Sequence, residues 1–323
     1  MESIPYKREF INPDELWSNL VSMDLTEFSN GGGPRRYGWS SIPRGNRWCY
    51  RSKFTTMVVK DEAYERVDNL VGYFSDEQRL NANRKGQPSP FEFYNRNYNR
   101  LLAQAKGSFA KDPSKPLRYW LREEIYYSKK ECTTFKASVT KALFKHLKSK
   151  KVLDPSAGWG DRLLGAAGYG VEVYKGVDPN RSMRPAYDEM IGFIKAKGVT
   201  GKYSVVTDDF LTADVGEGYD TVFTSPPYFH YEMYSEDPEQ SIIQFTTNDE
   251  WNDNFFIPYL TKAYNALIKG GYFCMYICDI NGAKYVEVMC KHLNVNLKAK
   301  FLGVIAVTPE DYSHAYPIWV WKK

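Results

Sequence analysis

The chain has 323 residues, of which 43% are hydrophobic, 16% aromatic and 25% charged, and its formal net charge at pH 7 is +4. This length can hold one large domain, or one domain beside a smaller one. The chain has no run of 18 apolar residues and no apolar signal core near its start, so we expect a cytoplasmic protein without a membrane span. Its five scattered cysteines have no Cys or His partner at zinc-site spacing, so we expect no metal and a reducing compartment.

Residues 1–125 contain mixed elements with weak periodicity. The pattern predicts helices over Asp14–Phe28, Glu62–Phe74 and Phe91–Ala105 and a strand over Trp48–Val59. We interpret this part as a smaller mixed N-terminal domain, joined through a linker at 111–116 to a larger domain of residues 126–323.

Positive charge is concentrated in the N-terminal part. Residues 1–125 contain 20 Lys/Arg and 16 Asp/Glu, whereas the remaining residues contain 23 of each. Residues 31–60 hold seven basic residues, interleaved with aromatic ones, and no acidic residue. A second basic stretch, Arg79 to Arg118, also contains several asparagines. Arg and Lys can contact phosphates, and Arg and Asn can read base edges, whereas the alternative is the solvated surface of an ordinary accessory domain. The arginines that we single out are Arg35, Arg36, Arg44 and Arg47.

Strands and helices alternate after a helix predicted over Ser138–Lys148. Strands are predicted near 151–154, 172–178, 203–208, 219–225, 271–277, 298–307 and 317–323, with helices near 160–168, 182–197, 250–268 and 283–293. This alternation predicts an α/β fold, with a mainly parallel sheet and helices on both faces. Ligands of such sheets bind at the carboxyl ends of the strands.

A glycine-rich turn follows the first of these strands, in Asp154-Pro155-Ser156-Ala157-Gly158-Trp159-Gly160. Its glycines allow a tight turn and the close approach of a ligand, and the next helix offers free N–H groups to an anion. Asp178 ends the next strand, where a ribose diol would be held in a nucleotide-type site. The alternative is an ordinary strand-to-helix turn in which strand ends happen to carry aspartates.

The segment Ser225-Pro226-Pro227-Tyr228 ends the strand near 219–225. Two prolines cannot donate ladder hydrogen bonds, so the strand must stop there in a stiff turn. The Ser225 hydroxyl and the Pro226 carbonyl then form a rigid pair of acceptors beside an aromatic ring. This arrangement suits a planar ring that carries an amine, although a packing tyrosine after a strand-ending turn is the structural alternative.

Together the two motifs resemble those of S-adenosylmethionine-dependent amino-methyltransferases, which modify exocyclic amines of nucleobases. The resemblance covers about residues 135–323 and implies a Rossmann-like seven-stranded sheet with one antiparallel strand near its edge. One departure is the large Trp159, since the family often has Phe-x-Gly-Ser-Gly in this loop. The resemblance implies S-adenosylmethionine as cofactor, held by Asp154, Ser156, Gly158, Gly160, Asp178, Asp209 and Phe210.

The resemblance also implies a role for each of these positions. The glycine motif would bind the methionine part of the cofactor, with Asp154 facing its amine. Asp178 would accept hydrogen bonds from the ribose hydroxyls. Asp209, with Asp208 as the alternative, would accept from the adenine amine while Phe210 packs near the adenine ring.

The expected reaction is methyl transfer to the exocyclic amine of a flipped-out DNA base, as in restriction-modification systems. The catalytic tetrad would be Ser225-Pro226-Pro227-Tyr228, and its Ser form favours cytosine N4. Phe229 and Tyr231, in the loop that follows, are expected to contact the base, and residues 1–125 to recognise the target. Adenine N6, an RNA base, a protein glutamine amide and a DNA-binding module without enzymatic activity remain alternatives.

Overall fold

The computed structural model describes residues 2–31, 53–84, 87–128, 130–228, 232–234, 238, 240–279 and 283–323. The described strands are β1 (Thr26–Asn30), β2 (Phe54–Val59), β3 (Asn83–Arg84), β4 (Lys151–Asp154), β5 (Val173–Val177), β6 (Lys202–Val206), β7 (Tyr219–Thr224), β8 (Glu232–Met233), β9 (Leu267–Tyr276), β10 (Lys300–Pro309) and β11 (Tyr316–Lys322). The described α-helices are α1 (Pro13–Ser22), α2 (Leu70–Asn81), α3 (Pro90–Lys111), α4 (Leu117–Tyr127), α5 (Ala137–Leu147), α6 (Asp161–Tyr169), α7 (Arg184–Ala196), α8 (Ser241–Gln244), α9 (Asn248–Trp251), α10 (Ile257–Asn265) and α11 (Tyr285–Lys291). Across these ranges, no helix combines the length and the hydropathy that a bilayer span requires.

One large sheet organises the fold, with strand order β1-β2-β10-β11-β9-β7-β4-β5-β6. Strands β4, β5, β6, β7 and β9 are parallel to their neighbours in this group, and β11 is antiparallel to both β9 and β10. The α/β prediction and the single antiparallel strand among the C-terminal strands are therefore confirmed. The strand count differs from the expected seven, because β1 and β2 extend the sheet to nine.

Apolar side chains cover both faces of the sheet. One cluster joins β4 and β5 to α5, α6 and α7, and includes Leu143, Leu164 and Met190. The other joins β7, β9 and β11 to α10 and α11, and includes Leu260 and Met289. Two buried faces explain why the central strands appear in the sequence as continuous apolar runs.

The N-terminal residues are built into this core. Strand β2 pairs in parallel with β10, and β1 pairs with β2. Leu20 of α1 packs where a side chain at Gly168 of α6 would otherwise lie. Asp68 accepts hydrogen bonds from both the N–H and the hydroxyl of Ser138, each at 2.8 Å, and so caps the start of α5. A separate small cluster forms between α3 and α4, around Leu101 and Leu121. The proposed boundary near residue 125 stays a prediction.

Two N-terminal elements differ from the predicted ones. The expected helix over Asp14–Phe28 ends at Ser22, because Thr26–Asn30 pairs with β2 instead. Helix α4 begins directly after the predicted linker and runs across the predicted boundary at residue 125, and it buries Leu121 and Ile125 on one face. The i, i+4 spacing of these two residues is the helical signal that the prediction missed.

Candidate functional site

A cavity of about 730 Å³ lies at the carboxyl edge of the sheet. It is lined by the loops that follow β4, β5, β6, β7 and β9, and by the ends of β2 and β10. Its volume lies within the range of about 300–1,000 Å³ typical of small-molecule pockets. The predicted glycine turn and the predicted tetrad both line this cavity, so the fold unites two motifs that are distant in the sequence.

Asp178 lies where β5 ends and lines the cavity. Its carboxylate accepts the Gly158 N–H at 2.8 Å and the Asn180 N–H at 3.0 Å. Burial raises the pKa of Asp178 to about 6, although the two N–H donors act in the opposite direction. The carboxylate thus fixes the glycine turn while facing the cavity.

Asp154 does not line the cavity, contrary to the expected contact with a ligand amine. Its carboxylate is fully buried, and Oδ2 accepts hydrogen bonds from Arg162 Nε at 2.8 Å and from the Tyr174 hydroxyl at 2.7 Å. Oδ1 accepts the Ser156 N–H at 3.3 Å. Asp154 is therefore a structural carboxylate behind the cavity wall, since buried charges are retained where they are paired.

Gly160 also lies outside the cavity lining, and its conformation explains why this position is a glycine. Its φ of 95° lies in the left-handed region, and a Cβ there would come within 2.4 Å of Met190 Sδ. The left-handed backbone and the packing of Met190 therefore require a glycine here, and the contact of Gly160 with a cofactor stays a prediction. Gly158, with φ of 59°, does line the cavity.

Asp161 is a cavity residue that the sequence interpretation missed. It is the first residue of α6 and only 2% exposed, and its Oδ1 has no hydrogen-bond partner among the described residues. Burial raises the pKa of Asp161 to about 7. An acidic residue directly after the turn was the available signal, but a first-turn acid more often only complements the helix dipole.

Asp209 and Phe210 follow β6 and both line the cavity. Asp209 Oδ1 accepts the Leu211 N–H at 2.9 Å, and Phe210 packs edge-to-face against Tyr259 with ring centroids 5.0 Å apart. Asp208 is not among the lining residues and accepts the Asp209 N–H at 2.9 Å. The structure therefore places the preferred acid, rather than the alternative, at the cavity.

Tyr259 of α10 joins the two motifs. Its hydroxyl lies 2.8 Å from Ser156 Oγ, in the glycine turn, and 3.1 Å from Thr224 Oγ1, where β7 ends before the tetrad. The side chain is fully buried. Because α10 is distant in the sequence from both motifs, no local pattern indicated this bridge.

All four tetrad residues line the cavity, directly after β7. Tyr228 is oriented by β9 and α11, because its hydroxyl accepts the Cys278 N–H at 3.3 Å and its ring packs edge-to-face on Tyr285. The sequence-predicted pair of acceptors and its neighbouring aromatic ring thus come together at one wall.

The cavity continues past the tetrad into a region rich in aromatic rings. Tyr276 of β9 lies between Phe135 and Tyr316, with ring centroids 4.9 Å and 6.1 Å away. His314 packs edge-to-face on Tyr316 at 5.3 Å. All four rings line the cavity, so this end presents flat surfaces suited to a planar ligand.

The predicted substrate contacts Arg35, Arg36, Arg44, Arg47, Phe229 and Tyr231 lie outside the described residues. The ends of the second basic stretch are described, and both are engaged. Arg79 is buried and donates to Glu131 at 3.0 Å, and Arg118 donates to Glu9 at 2.7 and 2.8 Å. Arg79 therefore has a structural role, whereas Arg96 within the same stretch is 68% exposed.

No protein-family profile matches the sequence, and no curated protein matches it. Solved structures with a related architecture include TrmN from Thermus thermophilus, with 15% identity, a TM-score of 0.38, and coverage of 58% of this chain and 48% of that one. Another is TehB from Haemophilus influenzae, with 15% identity, a TM-score of 0.38, and coverage of 61% and 66%. A third is magnesium protoporphyrin IX methyltransferase (ChlM) from Synechocystis PCC 6803 with bound SAM, with 13% identity, a TM-score of 0.41, and coverage of 58% and 79%. The chain thus spans about half the length of TrmN.

Proposed function

We propose that the protein is an S-adenosylmethionine-dependent methyltransferase that modifies the exocyclic amine of a DNA base, with cytosine N4 preferred. The observation that carries this proposal is that one cavity is lined both by the acids and the glycine turn that follow β4, β5 and β6 and by the Ser-Pro-Pro-Tyr turn. A binding module without enzymatic activity would not need both sets of groups in one cavity.

The residues over β4, β5 and β6 fit the proposed cofactor. Asp178 offers carboxylate oxygens to a ribose diol, and Asp209 with Phe210 offers an acceptor beside an aromatic ring for adenine. Gly158 allows close approach at the turn. When bound, S-adenosylmethionine would supply an electrophilic methyl group on its sulfonium.

The tetrad addresses the weak nucleophilicity of an aromatic amine, whose lone pair is shared with the ring. Ser225 Oγ and the Pro226 carbonyl would accept hydrogen bonds from the two N–H groups of the amine, which would favour a tetrahedral nitrogen. Because the double-proline turn is rigid, this positioning needs little reorganisation during the reaction. Ser225 is not a strong base, so the proton would leave after methyl transfer, to water or to a neighbouring group.

Aromatic surfaces would hold the base after it leaves the duplex. A base within a helix is out of reach and must be flipped out, which costs its stacking energy. Tyr228 would replace that stacking, and Tyr276 and Tyr316 offer further flat surfaces beside it. The basic residues of 31–60 would contact the backbone of the DNA partner.

The test is incubation of the full chain with tritiated S-adenosylmethionine and unmethylated genomic DNA, followed by separation of the nucleosides. Label in N4-methylcytosine is the expected result. Label in N6-methyladenine would keep the mechanism and overturn the base assignment. Label in parallel reactions with RNA or protein but not DNA would overturn the DNA substrate.

A matched pair of variants connects the label to the cavity. Ser225→Ala should abolish most of the transfer, whereas Ser204→Ala, on an exposed position of β6, should not change it. Equal label from both variants would show that Ser225 does not contribute to the transfer.

A further inference from the structure

We propose that Asp161, rather than Asp154, binds the cationic amine of the cofactor's methionine end. This inference rests on the proposed function and deepens it, since it names the group that recognises one charged part of the cofactor. It also reassigns a contact that the sequence pattern attributes to the acid at the end of β4.

The first step is that both carboxylate oxygens of Asp154 already accept hydrogen bonds within the protein. Its Oδ2 receives two hydrogen bonds, from Arg162 at 2.8 Å and Tyr174 at 2.7 Å, and its Oδ1 receives the Ser156 N–H at 3.3 Å. The residue is fully buried and does not line the cavity. Asp154 therefore already has internal donors, including the positively charged Arg162, and does not need a ligand amine to compensate its burial.

The second step is that Asp161 shows the opposite pattern. It lines the cavity, its side chain is almost fully buried, and its Oδ1 has no hydrogen-bond partner in the part of the chain that the structure describes. A buried carboxylate oxygen without a partner is costly, so a bound ligand or a water is expected to complete its hydrogen bonding.

The charged groups around Asp161 do not satisfy it. Arg162, on the same helix, donates to Asp154, and Arg79, on α2, donates to Glu131. Asp68, which precedes α2, adds negative charge nearby. The two arginines lower the pKa of Asp161 and Asp68 raises it, but burial dominates and the pKa lies at about 7.

The helix dipole accounts for an acid in the first turn of α6 but not for its burial. Arg79 Nε is also without a hydrogen-bond partner among the described residues, so a water bridging Arg79 and Asp161 is the competing occupant. The two occupants predict different results for a substitution of Asp161. If the ligand's amine binds Asp161 directly, the substitution weakens binding only of ligands that carry the amine, whereas loss of a bridging water would not depend on the amine.

The experiment compares two ligands by calorimetry, S-adenosylhomocysteine and its deaminated analogue, in which hydrogen replaces the amino group. Asp161→Asn should weaken binding of S-adenosylhomocysteine about 10- to 100-fold, because a charge-assisted hydrogen bond is lost. Binding of the deaminated analogue should change less than about 3-fold. Asp154→Asn is the control, and any loss that it causes should be equal for the two ligands.

The outcomes separate this inference from the proposed function. If the wild-type protein binds neither ligand, the proposed function fails. If it binds S-adenosylhomocysteine and Asp161→Asn weakens both ligands equally, or neither, the amine contact is wrong and the bridging water is favoured.

The pH dependence of ligand affinity in the wild-type protein provides a second measurement, which does not depend on whether a variant folds. A cation binds the ionised carboxylate, so affinity for S-adenosylhomocysteine should rise as pH increases through about 7. It should fall again at higher pH, where the ligand's α-ammonium group loses its proton. Asp178 titrates in the same cavity, but its ionisation should affect S-adenosylhomocysteine and the deaminated analogue alike. The ratio of the two affinities therefore reports the contribution of the amine alone. A constant ratio between pH 6 and 7.5 would contradict the proposal.

Discussion

The half of the cavity over β4, β5 and β6 is formed by short loops that directly follow their strands, whereas the half over β7, β9, β10 and β2 gathers side chains from distant parts of the chain. In the first half, Asp178 and Asp209 are oriented by backbone N–H groups of the same or adjacent loops. In the second, Tyr276 and Tyr316 are oriented by ring packing between strands. Hydrogen bonds within one loop or between adjacent loops therefore hold the acids of the first half, while the aromatic rings of the second half depend on the pairing of distant strands.

The largest expected effect separates chemistry from cofactor binding. Ser225→Ala removes one acceptor for the amine, and comparable losses of a transition-state hydrogen bond lower turnover about 10²- to 10³-fold. The dissociation constant of S-adenosylhomocysteine should not change, because Ser225 lies in the other half of the cavity. Single-turnover kinetics and calorimetry measure the two quantities. Equal losses of turnover and of affinity for S-adenosylhomocysteine would show that the two halves of the cavity are not independent.

The next effect tests the cofactor half. Asp178→Ala removes the acceptor of the Gly158 N–H and the proposed ribose contact, and we expect cofactor affinity to fall about 10- to 100-fold. Asp188→Ala, at an exposed position of α7, is the matched control. Calorimetry with S-adenosylhomocysteine measures the loss. An unchanged affinity in the folded Asp178 variant would remove this residue from the proposed site.

A smaller effect is expected where the halves meet. Tyr259→Phe deletes the hydroxyl that bridges Ser156 and Thr224, and leaves two polar groups to find new partners. We expect the free energy of unfolding to fall by about 1–3 kcal/mol and turnover to fall several-fold. Chemical denaturation measures the first quantity. Tyr264→Phe, on the same helix but away from the cavity lining, should change neither; matching losses in the two variants would disprove the bridge.

The smallest effect concerns Tyr228, whose ring rather than hydroxyl should matter. Tyr228→Phe removes the hydrogen bond from the Cys278 N–H at 3.3 Å and keeps the ring, so turnover should change less than about 3-fold. Tyr228→Ala also removes the stacking surface, which is worth about 1–3 kcal/mol per base. Steady-state kinetics on DNA compare the two variants. Equal defects would mean that the hydroxyl, not the ring, acts on the substrate.

Much of the fold and part of the site could be predicted from the sequence. Apolar runs alternate with amphipathic segments after residue 138, and this pattern alone predicted the α/β architecture. The glycine turn, Asp178, Asp209 and the tetrad each follow a strand directly, so the rule that ligands bind at the carboxyl ends of strands placed them together. The position of a residue that directly follows a strand is determined by where that strand ends, and strand ends can be recognised in the sequence.

Tertiary structure alone decided the rest, because side-chain roles depend on what packs nearby. Asp154 and Asp161 flank the same turn, but only the folded chain shows that Arg162 and Tyr174 donate to the first, whereas Oδ1 of the second has no partner among the described residues. Likewise, β1 and β2 join the sheet through long-range pairing that no local periodicity encodes. Local sequence determines where a strand ends and a turn begins, whereas burial and partner choice arise only when distant segments meet.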